Sequence, residues 1–81
     1  MKNGFSKLYP YLHLYCTHQG WLEIGPDEHS DSWVRILDEG GMHEEIDLDS
    51  LDESLAAAET WAKEWMTENY AKEVKKMLAG N

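Results

Sequence analysis

A change of hydrophobic period at Asp49-Ser50 constrains this chain more than any other feature. Before it, apolar and polar residues alternate in short runs broken by turn residues. After it, apolar residues recur every three or four positions almost to the C-terminus. The first rhythm belongs to strands, whose side chains point alternately to opposite faces, and the second to an amphipathic helix. The expected fold class is therefore α+β: a three- to four-stranded antiparallel β-meander packed on one face by a long C-terminal helix, in ββββα order.

Strands are expected at four places. From Tyr9 to Thr17, Leu12, Leu14 and Cys16 alternate with Tyr11, His13, Tyr15 and Thr17, and Pro10 suits a strand start or edge. His18-Gln19-Gly20 supplies a turn into Trp21 to Ile24, which Gly25-Pro26 ends. Ser32 to Asp38 sets Val34 and Ile36 against Trp33, Arg35 and Leu37. Adjacent glycines in Asp38-Glu39-Gly40-Gly41 suit a tight hairpin turn. In the fourth strand, Met42 to Leu48, Met42, Ile46 and Leu48 oppose His43, Glu45 and Asp47, with Glu44 misplaced on the apolar side.

Ser50-Leu51-Asp52-Glu53 has the capping-box pattern, in which the Ser50 hydroxyl accepts from the Glu53 amide. Beyond it Leu51, Leu55, Ala58, Ala62, Trp65 and Met66 form one apolar stripe. Asn69 then falls on the stripe, while Tyr70, Val74, Met77 and Leu78 rotate away from it. A helix over 50–79 is expected to break near 67–69, or to turn its last residues toward another surface.

With 81 residues, 42% hydrophobic, the chain is expected to form a single domain over 1–81, with 1–8 a flexible N-terminal segment and 9–48 the sheet. The N-terminal residues lack an apolar run of signal-peptide length, and no stretch approaches the ~20 apolar residues of a membrane span. The lone cysteine, Cys16, cannot close an internal disulfide, which fits a reducing compartment, so a cytoplasmic location is expected. Its alternation with leucines makes it a buried small hydrophobe, not an activated thiolate.

Charge is concentrated. Between residues 21 and 53, twelve acids stand against Arg35 alone, a balance of −11 within a chain of net charge −9. Such a field repels phosphate, so nucleic acid is disfavoured as a partner although the second sheet face is rich in aromatics. No nucleophile elbow, phosphate-binding glycine loop or zinc-hydrolase helix occurs, and the expectation is a protein that is not an enzyme and takes no cofactor. His29 among Asp27, Glu28 and Asp31 matches no metal-ligand spacing; at most the acids of loop 26–31 would hold a divalent cation weakly.

What is left is surface. If one helix covers one sheet face, Tyr11, His13, Tyr15, Trp21, Trp33 and Arg35 lie on the other, and Tyr70, Val74 and Met77 project from the helix end. Aromatics and Arg are frequent anchors of protein contacts. The expected function is that of a protein-interaction or adaptor domain, its partner another protein or a second copy. The alternative is an acidic inhibitor imitating the charge of nucleic acid against a basic protein.

Overall fold

The computed structural model describes residues 4–28 and 30–80. Element order is α1 (Gly4–Leu8), α2 (Pro10–His18), β1 (Trp21–Ile24), β2 (Val34–Asp38), β3 (Gly41–Ile46), α3 (Leu51–Asn69) and α4 (Ala71–Ala79). The fold is α+β with a three-stranded antiparallel sheet in the order β1-β2-β3 and helices at the C-terminal end. The four strands and ββββα order expected from alternation are corrected to ααβββαα: residues 4–8 and 10–18 are helical.

The misread segment has a physical explanation. In helical geometry Leu12 and Tyr15 lie three apart on one face, and both are completely buried, whereas Cys16 turns outward and is exposed. The expected burial of Cys16 is thereby corrected. Pro10 occupies the first helical turn, where its missing N–H is no loss and its fixed φ suits the helix. Tyr9 offers no side-chain cap. The cap comes from another helix: the half-buried Glu59 of α3 accepts from the Tyr11 amide at 3.0 Å and the Leu12 amide at 2.9 Å.

One core serves all elements. Leu12 and Tyr15 of α2, Val34 and Ile36 of β2, Ile46 of β3, Leu55, Ala58, Ala62 and Met66 of α3, and Val74 of α4 are buried together. Each fully buried Leu or Met contributes about 1.5 to 3 kcal/mol relative to exposure. Ala58 and Ala62 leave room for close approach of α3, which contacts α2, β2 and β3. At its start the Ser50 hydroxyl accepts from the Glu53 amide at 3.1 Å. The buried Ser54 hydroxyl accepts from Leu48, tying the sheet exit to the same turn.

Tyr70 separates α3 from α4, with φ −135° and ψ 49°. Its amide still bonds Met66 and its carbonyl accepts from Val74. The chain changes direction there, and Val74 returns to the core. Among the described residues no helix is long and apolar enough to cross a membrane.

Candidate functional site

The sheet carries helices on one face, α2 against β1 and α3 against β2 and β3. Paired residues share a face, so the register defines what stands on the other. Trp21 lies across from Leu37, and Leu37 across from Met42; the next such row is Glu23, Arg35 and Glu45.

The two rows differ in cover. Arg35 is buried, 5% exposed, because the loop between β1 and β2 folds around its guanidinium. Its Nη1 donates to the Ser32 carbonyl at 2.9 Å, its Nη2 to the Gly25 carbonyl at 2.8 Å, and its Nε to Glu23 at 3.1 Å. Asp27 stands 3.5 Å from the same group. Ser30 and Ser32 donate to Glu45, whose carboxyl is thereby held below its usual range, Ser30 contributing most. The one cation of the acidic segment is consumed internally. The other row stays open: Trp21 is 43% and Met42 53% exposed, with Leu37 half-buried between them.

Met42 reaches this face through a β-bulge. Ile36 pairs with Glu44 while the next residue, Leu37, pairs with Met42, leaving His43 as an extra residue on β3. Simple alternation puts Met42 with Ile46 and His43 with Glu45; the bulge reverses both. His43 points to the helix side, its ring 5.9 Å from Trp61 and 5.8 Å from Trp65.

A polar chain runs from that imidazole. His43 Nε2 lies 2.6 Å from Asp38 Oδ2, which also accepts from Gln19 Nε2 at 2.6 Å, and Asp38 Oδ1 accepts from the Gly40 amide. The His43 bond, then those of Gln19 and Gly40, holds the Asp38 carboxyl below its ordinary range. Gln19 Oε1 accepts from the Tyr70 hydroxyl at 2.7 Å, and the Tyr70 ring stacks on His18, itself 3.6 Å from Glu73. Gln19, Asp38, Glu39, Gly40, Gly41, Met42 and His43 line a shallow open cleft of about 440 Å³. A histidine–carboxylate pair holds and moves protons, but among the described residues no Ser, Thr or Cys lines that cleft as a nucleophile.

The residues expected to form one contact surface are distributed. Tyr11, His13 and Tyr15 belong to α2, respectively half-buried, exposed and buried. Trp33 is half-buried against the core, Arg35 is enclosed, and Val74 is buried. Tyr70 and Met77 are half-buried on the helical side. Of that set only Trp21 stands exposed on the open sheet face, joined there by Leu37 and Met42. Among the described residues no three His, Cys, Asp or Glu side chains are grouped to hold a metal; in the acidic loop, Asp27 caps the Ser30 amide and faces Arg35, while His29 lies outside the described residues. Comparison with protein-family models, curated proteins and solved structures finds no match for this chain.

Proposed function

We propose that this protein is an interaction domain that docks a basic protein on its open sheet face, with Trp21, Leu37 and Met42 as the apolar anchor. The observation that carries it is the in-register row of three large apolar side chains on a face that, among the described residues, no helix covers. Isolated exposed apolar residues are ordinary; a contiguous row bordered by carboxylates has the form of a contact centre with a polar rim.

Charge selects the partner. Residues 21–53, which contain the sheet and the start of α3, carry −11, and their Arg35 is already bonded to Glu23 and Asp27. A second copy would bring another −9 against it, so a basic protein is the complementary occupant. The reading is of a binding module rather than an enzyme, with the acids steering encounter and the apolar row holding the complex.

The test is affinity capture with the wild-type chain and with Trp21→Ser and Met42→Ser, followed by affinity measurement on each identified protein. A basic partner that loses at least about tenfold in affinity with either variant, and associates more slowly as salt rises, supports the proposal. Binding that is unchanged in both variants yet abolished by salt overturns it, because acids alone would then carry the contact.

A further inference from the structure

We propose that the His43–Asp38 contact is a pH-responsive latch on the β2–β3 hairpin tip, tighter in mild acid than in mild alkali, that holds Met42 in register beside Leu37. The geometry supplies three parts. The bulge removes His43 from the ladder and turns it to Asp38, so the contact closes the hairpin from within. Leu37 precedes Asp38 and Met42 precedes His43, so the two members of the latch are chain neighbours of two members of the exposed row. Asp38 is pinned as well by Gln19 and Gly40, and Gln19 by Tyr70, which anchors the latch to the end of α2 and to the α3–α4 junction.

The sign follows from the groups around the ring. Asp38 faces it from the end of β2, and the neutral Trp61 and Trp65 rings lie near it on α3; Glu64 and Glu68 line a separate depression beside those two rings. Neutral Gln19 meets it only through Asp38, and Glu44 is its own chain neighbour. Among the described residues, the ionisable side chains that line the cleft with His43, Asp38 and Glu39, are both acids. Asp38 remains a carboxylate through mild acid, its proton affinity lowered by the bonds it accepts. A protonated imidazole gives that carboxylate a charge-assisted bond, whereas the neutral ring keeps only an ordinary one. Histidine is the side chain that ordinarily makes this exchange between pH 5 and 8.

Regulation of binding through Met42 depends on the contact surface proposed above; the latch does not, and it is read in the protein alone. Amide hydrogen exchange of residues 38–43, normalised to intrinsic rates, is measured at pH 5.5 and 8 in wild type, His43→Gln, Asp38→Asn and His18→Gln. Gln keeps a donor but does not titrate. The expected result is about threefold greater protection at pH 5.5 in wild type and in His18→Gln, the size of a partly exposed ion pair, with no pH difference in the other two. Equal protection at both pH values in wild type, or a pH difference that survives in His43→Gln, overturns the latch. Neither outcome bears on whether Trp21 and Met42 dock a partner.

Discussion

Tyr15 donates its hydroxyl to the Leu37 carbonyl at 2.8 Å, fixing from the helix side the strand whose Leu37 side chain stands on the open face between Trp21 and Met42. The ring is completely buried and meets Trp61 and Trp65 edge-on. Removing only the hydroxyl, Tyr15→Phe, leaves the carbonyl short of a partner and is expected to cost about 1 to 2 kcal/mol in urea unfolding. The aromatic packing stays, so the denaturant slope should not change.

The same burial gives Tyr15 an alkaline signature. Desolvation first, then the Asp38 charge, pushes its phenol to about 12. A group raised in the folded state stabilises fully below its unfolded value, near 10, and that contribution is lost as pH rises through the folded value. Ultraviolet titration at 295 nm should show one tyrosine ionising late, with stability falling between about pH 10 and 12. Tyr15→Phe should abolish both.

Gly20 lies against the same strand. A Cβ at that position would stand 1.9 Å from the Leu37 oxygen, a backbone atom that cannot step aside. Gly20→Ala is therefore expected to destabilise by at least about 2 kcal/mol, as overpacking does, read as a lower urea midpoint. Gly4→Ala, where nothing lies within 4 Å, is the matched control and should not destabilise.

Glu59→Ala should remove the cap on Tyr11 and Leu12 and cost about 1 to 2 kcal/mol, with faster exchange at those two amides. This contact also explains what the sequence hid. Ser50 advertises α3 by a cap three residues from the amide it accepts from, and the stripe of Leu55, Ala58, Ala62 and Met66 follows the helical period, so that half of the fold was legible. The cap of α2 comes from a residue 47 and 48 positions away, beyond the reach of local pattern. With Tyr9 a poor cap and Leu12, Leu14 and Cys16 alternating by coincidence, a strand was the natural inference. The contact row was half legible: Trp21 and Leu37 follow simple alternation, but the bulge at His43 changes sides for Met42 and leaves no mark in composition. Arg35 looked like an exposed anchor because nothing local says that the loop at Gly25 and Ser32 closes over it.

Below the ordinary carboxylate range, beyond the mild acid in which the latch is tight, acid should loosen the hairpin and the Arg35 loop together. Asp38 and Glu45 both have carboxyls lowered by hydrogen bonds, so their contributions are present above the ordinary carboxylate range and lost as pH falls through their lowered values. Glu59 acts in the opposite sense, since burial raises it, and its protonation relieves the buried charge. Urea midpoints measured from about pH 4 down to 2 should fall, more shallowly in Asp38→Asn than in wild type.

The most direct test of the docking surface is photo-crosslinking from position 42, with a second probe at the exposed Ala56 of α3 as control. Crosslinks from position 42 to a basic protein, absent from position 56 and removed by Trp21→Ser, are the predicted result. Equal yield from both positions, or a product consisting of two copies of this chain, would contradict it.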